Sequence, residues 1–203
     1  MTNPAHPKSF RLLEMRRTLY TTGDVTPEYL AYTRDVHLDH RTIQAHAGVF
    51  AVVLANFLRD NHGHPIFNFD PDGVPAAVIE AILFDQSREL YVGDLAAWPL
   101  HDPENFATAL GANDGADVLG AVNMVQRGGK PLFIHRTPLE WLLADCEGCV
   151  PLSVAGGRYW LNKAGGPFVV GDLEDGRWLR DLLGPFAARH RILVALRTGE
   201  DAA

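Results

Sequence analysis

Short apolar stretches alternate with helix-cap signals in the last third of the chain, and this constrains the fold more than any other feature. Residues 131–135 are apolar and lead into Thr137-Pro138-Leu139-Glu140. That run is a capping box with proline at the first helical position. The threonine oxygen can accept from the amide of Glu140, and the glutamate can reach back. The spacing predicts a helix over 138–146 that buries Leu139, Leu142 and Leu143 and stops at Gly148. A second strand is expected over 149–154. A small excursion through Tyr159-Trp160-Leu161 then follows between Gly156-Gly157 and Gly165-Gly166. A third strand is expected over 167–171, a helix over 173–183 ended by Gly184-Pro185, and a fourth strand over 191–196. Such alternation predicts right-handed crossovers between parallel strands. The fold class read from this part is α/β, a mostly parallel sheet with flanking helices.

Upstream, residues 10–61 read as helical. Thr26-Pro27-Glu28 is an N-cap followed by proline. Ile43, Ala47, Phe50, Leu54 and Phe57 recur at steps of four and three, as on one helix face, and Asn61-His62-Gly63 would stop that helix. Two stretches, 77–84 and 90–98, are apolar and β-branched around a polar turn and predict a β-hairpin. A short helix is expected over 102–110. Residues 111–129 read mostly as glycine-rich loop, with a helical turn near 118–125. The chain thus divides into a helical section (1–62), a hairpin and glycine-rich connection (63–129) and an α/β section (130–203).

Composition narrows the function. The 203 residues include 18 Lys and Arg against 25 Asp and Glu, a formal net charge of −7. Coating of DNA or RNA depends on many cations neutralising phosphates, so this balance argues against it, and equally against an anionic membrane surface. The longest apolar run, 49–58, is broken by Asn56 and is too short to span a bilayer. No secretory signal pattern opens the sequence. The only cysteines are Cys146 and Cys149. A reducing, cytoplasmic setting is expected. The pair has C-x-x-C spacing but falls at a helix C-terminus, where the dipole opposes thiolate formation. Buried thiols without zinc are expected.

The acidic run Asp172-Leu173-Glu174-Asp175-Gly176 follows an apolar strand and opens a helix. Ligands of parallel α/β sheets sit beyond strand carboxyl ends. Asp172 and Glu174 could therefore hold a hard cation such as Mg2+. The same carboxylates also suit a helix N-terminus, where they cap amides. His135, at a strand end, is the candidate for proton transfer, with a solvent-edge histidine as its plainer reading. His37 with His40, and His62 with His64, have ligand-like spacings but lie in polar or turn-like surroundings. There is no H-E-x-x-H, Walker A, G-x-G-x-x-G or G-x-S-x-G run.

With these motifs placed, residues 130–196 resemble a Toprim domain, the fold of bacterial-type primases and topoisomerases. Pro131-Leu132-Phe133-Ile134 matches the family's first strand and 137–148 its helix. Phe168-Val169-Val170-Gly171-Asp172 matches the later strand, with Asp172 and Glu174 at the acidic positions and Gly176 at the glycine. His135-Arg136 stands where the family has glutamate-glycine. The resemblance implies an acidic pair that holds Mg2+, without the strand glutamate that would do acid/base work. The expected function is a noncatalytic or weakly catalytic Toprim-like protein in replication or mobile-element DNA metabolism. It would bind a nucleic-acid end, a nucleotide or a protein partner. Two other readings stand beside it: a small metal-dependent phosphoester-processing enzyme, and an interaction subunit that docks through its helical N-terminal section.

Overall fold

The computed structural model describes residues 7–22, 26–38, 43, 48–85, 87–111, 116–126 and 128–195. Two helices come first, α1 (Pro7–Thr22) and α2 (Pro27–Asp35). Thr26 caps α2, its Oγ1 accepting from the Tyr29 amide at 3.1 Å. Five strands follow: β1 (Phe50–Arg59), β2 (Pro65–Phe69), β3 (Val74–Phe84), β4 (Leu90–Pro99) and β5 (Ala107–Thr108). They close into a barrel in the order β1-β2-β5-β4-β3, with β3 pairing back to β1. Every pairing is antiparallel except β2 with β5.

This barrel overturns the mostly parallel sheet expected from the sequence. The reason lies in its two apolar faces. A five-stranded barrel is narrow and fills with small side chains. Its inner cluster holds Ala51, Ala55, Ala76, Ala97, Ala107 and Ala109 around Phe67, Val78 and Leu95, and Met15 and Leu19 of α1 pack against it. The alternate residues Phe50, Val52, Ala77, Ile79, Ala96 and Trp98 face a second core, shared with α2 and the C-terminal elements. Strands buried on both faces lose the polar alternation that would announce them. The residues from Phe50 onward in the expected helix therefore form β1. Ile43 is helical and buried, while residues 39–42 and 44–47 lie outside the described residues. The expected helix stop is the turn between β1 and β2.

The short helix expected over 102–110 is instead a set of turns leading into β5. Fully buried Asp94 of β4 draws this segment in: its Oδ1 accepts from the amides of Ala109 at 3.1 Å and Leu110 at 3.2 Å. Those amides then serve the barrel rather than a helix.

The C-terminal layer contains β6 (Val118–Leu119), α3 (Ala121–Gln126), β7 (Leu132–Phe133), α4 (Pro138–Leu143), β8 (Val150–Pro151), α5 (Val154–Ala164), β9 (Phe168–Val170), α6 (Leu173–Leu183) and β10 (Ile192–Val194). Within this layer, parallel pairing among the described residues is confined to the small sheet β10-β9-β7 and one bridge from Ile134 to Cys149. The bridge leads to β8, which lies outside that sheet and pairs antiparallel with β6. Sequence reading had placed 150–153 among the parallel strands and 118–119 in a helical turn. β6 takes the place beside β8 that a further parallel strand would have filled. Pro151, which has no N–H to give a ladder, ends β8 after two residues.

The expected excursion over 159–161 is part of α5. Ser153 caps it, its Oγ accepting from the Gly156 amide at 3.0 Å. The glycines serve close approach here: a Cβ at Gly156 would collide with the Asp117 carboxyl, and one at Gly157 would press on Pro151. No helix among the described residues is long and apolar enough to cross a membrane.

Candidate functional site: a cationic cleft

The carboxyl ends of β7 and β8 open into a cleft of about 650 Å³ between the C-terminal layer and the barrel. From the β7 end come Arg136 and Thr137. From the β8 end and the first turns of α5 come Pro151, Leu152, Ser153 and Arg158. Trp178 and Leu182 of α6 add an apolar wall. The barrel side supplies Arg59, His64 and Thr108, and the connection before β5 supplies Glu104, Asn105 and Phe106. Three arginines and a histidine thus face one glutamate, in a chain whose net charge is −7.

The three arginines and the histidine are each anchored. Arg59 Nη1 donates to the Gly63 carbonyl at 2.7 Å, across the β1–β2 turn. His64 is placed by the same turn, where Asp60 Oδ1 accepts the amides of His62 and His64 at 2.8 and 2.9 Å. These contacts hold the Asp60 carboxyl below its ordinary range, the His64 amide contributing most. Arg158 Nε donates to the Leu182 carbonyl at 2.8 Å, tying α5 to the last turn of α6. A cation there also faces the negative end of the helix dipole.

Arg136 is held from three sides. Its Nη1 meets Glu174 Oε1 at 3.1 Å and Asp175 Oδ1 at 3.7 Å. Its Cζ lies over the Trp178 ring, 6.0 Å from the centroid. The bond to Glu174 raises the guanidinium above its ordinary value.

The residues singled out from sequence divide. Asp172 is the N-cap of α6, its Oδ1 accepting from the Asp175 amide at 2.9 Å. Glu174 faces Arg136, with its side chain 75% exposed. Asp172 and Glu174 are therefore engaged by an amide and a guanidinium. Among the described residues no group of three or more His, Cys, Asp and Glu side chains is placed to hold a metal ion. His135 lies beside the cleft, not among the residues that line it. Its Nε2 donates to the Glu147 carbonyl at 2.9 Å, and burial lowers its pKa from the ordinary histidine value. His62 and His64 share the β1–β2 turn, with ring centroids 6.4 Å apart. His37 sits after α2, and His40 lies outside the described residues. Cys146 and Cys149 are buried and unbridged.

Sequence reasoning missed Arg59, Glu104, Phe106, Arg158 and Trp178. One local signal existed: Glu174 and Trp178 are one helical turn apart, so they share a face of α6. The others converge from separate elements and carry no joint pattern along the chain. Ser153 is not set up as a nucleophile, because its hydroxyl caps α5 and also donates to Asp117 Oδ1 at 2.9 Å. The arrangement can attract an anion and shelter a flat apolar group beside it. The chain matches no protein-family model, no curated protein and no solved structure.

Proposed function

We propose that this chain is a binding protein for a phosphate-bearing ligand, a nucleotide or the end of a nucleic acid, taken up in the cleft between barrel and C-terminal layer. The observation that carries the reading is the gathering of three arginines, Arg59, Arg136 and Arg158, around one cavity of an acidic protein. Fixed cations in a partly enclosed site attract anions more strongly than the same charges spread over a surface. The cavity, about 650 Å³, has the size of a small-ligand site. Binding rather than turnover is favoured by how the reactive side chains are engaged. Asp172 caps a helix, Ser153 caps another, Glu174 pairs with Arg136, and His135 lies outside the cleft lining. The Toprim resemblance of residues 130–196 supports a role in nucleic-acid metabolism, in a cytoplasmic setting.

Calorimetric titration with a 5′-phosphorylated trinucleotide at low and raised salt tests this. Binding should weaken as salt rises, because a phosphate contact releases counterions. Arg59→Ala removes a barrel-side cation whose bond is to a turn carbonyl, and should weaken binding without unfolding the chain. Absence of binding at low salt, or binding untouched by Arg59→Ala and Arg158→Lys alike, rejects the reading.

A further inference from the structure

We propose that the Arg136 guanidinium is the stacking platform of the cleft, and that the occupant is a single nucleotide unit. Its base would lie on the part of that guanidinium open to the cleft, with its phosphate toward Arg59 and Arg158. The inference rests on the cleft being a ligand site, as argued above. A guanidinium is planar, with an edge of N–H donors and two faces. At Arg136 the edge meets the two carboxylates, Glu174 at 3.1 Å and Asp175 at 3.7 Å. The guanidinium Cζ lies over the Trp178 ring, 6.0 Å from the centroid. All three partners sit on α6 within about one turn, so a single helix holds the guanidinium in place. Yet the Arg136 side chain is still 32% exposed, and it lines the cleft.

Its charge is answered by two carboxylates, so a phosphate would have to compete with them for the same N–H edge. A flat conjugated ring needs only the face, and bases stack on arginine planes as they do on aromatic rings. The other arginines of the cleft, Arg59 and Arg158, have no carboxylate partner among the described ion pairs. They suit the phosphate. The cleft therefore offers a surface for a ring and cations for an anion, which is the chemistry of a nucleotide.

The test is a set of calorimetric titrations at low salt with inorganic phosphate, ribose 5-phosphate, adenosine 5′-monophosphate and a 5′-phosphorylated dinucleotide. Adenosine monophosphate should bind about tenfold more tightly than ribose 5-phosphate, the scale of one stacked base. Arg136→Lys keeps the charge and loses the plane. It should abolish that advantage, bringing adenosine monophosphate to the affinity of ribose 5-phosphate for the same variant. A dinucleotide tighter than the mononucleotide supports the site with a strand end as occupant, and equal affinities support it with a free nucleotide. The ligand series on the unaltered protein decides the matter even where Arg136→Lys folds poorly. Adenosine monophosphate binding no more tightly than ribose 5-phosphate overturns the stacking platform while leaving the anion site standing. If none of the four ligands binds, both readings are overturned.

Discussion

Arg16 of α1 and Glu80 of β3 meet at 2.8 Å between Nε and Oε1, and the glutamate side chain is only 4% exposed. Tyr20 donates its hydroxyl proton to the same oxygen at 3.2 Å, and the Val49 amide donates to Oε2 at 3.2 Å. A carboxylate this deep needs such partners, because burying an unpaired charge is strongly unfavourable. Arg16→Met removes the cation and leaves the carboxylate. It should cost about 1–3 kcal/mol, below the usual loss for a broken buried pair, because Tyr20 and Val49 remain and Arg16 is partly exposed. Glu80→Gln should cost less. Urea unfolding measures both, and an Arg16→Met protein as stable as the parent would show that Glu80 does not depend on α1.

The N-cap of α6 gives a second expectation. Asp172→Ala removes the acceptor for the Asp175 amide and should cost about 1 kcal/mol, while Asp172→Asn should keep most of the cap. With the carboxylate engaged by the helix, the loss should be the same with and without millimolar Mg2+. A loss that appears only in the presence of Mg2+ would return Asp172 to a metal-binding role.

Asp94 should make stability depend on pH. Its side chain is fully buried, and burial pushes its carboxyl up to about 7 against the pull of backbone amides, including that of Leu95 at 2.7 Å. In the unfolded chain a carboxyl releases its proton near 3.9, roughly. The folded form therefore holds the proton more tightly. The stability tied to this group is greatest below about pH 4, falls as pH rises toward 7, and is level beyond. The slope is at most about 1.4 kcal/mol per pH unit. Asp94→Asn keeps an oxygen acceptor and removes the titration. Urea midpoints at pH 5 and pH 8 should separate for the parent by more than for the variant, and equal separations would refute the assignment.

Cys146 should be inert in the native protein. Burial, with Asp145 beside it, pushes its thiol up to about 12, and Cys149 is fully buried. Only the thiolate attacks a disulfide reagent. At pH 8 both thiols should react at the rate of unfolding and together on denaturation. A fast phase with the folded protein would place one of them at the surface.

Legibility followed the range of the interactions. Thr26, Thr137 and Asp172 cap their helices as local spacing indicates, since a cap needs only an oxygen and an amide three residues on. The parallel partners β7, β9 and β10 are short apolar stretches set apart by those helices. β1 was not legible. Its inward residues Ala51 and Ala55 and its outward residues Phe50 and Val52 are all buried, and the steps of four and three then read as a helix. The same ambiguity hid the closure of the barrel.

Amino-acid order alone therefore determined the caps of α2, α4 and α6 and the acidic charge, because each depends on neighbours in the chain or on composition. Only the tertiary structure decided that the first strands close into a barrel and that β8 pairs with β6. It also decided the partners of the site residues. Arg136 and Glu174 are 38 positions apart, and Arg158 and Leu182 are 24 apart. Arg158 meets Leu182 where α5 packs on α6, and Arg136 meets Glu174 where the segment after β7 lies against the first turn of α6, which no local spacing encodes.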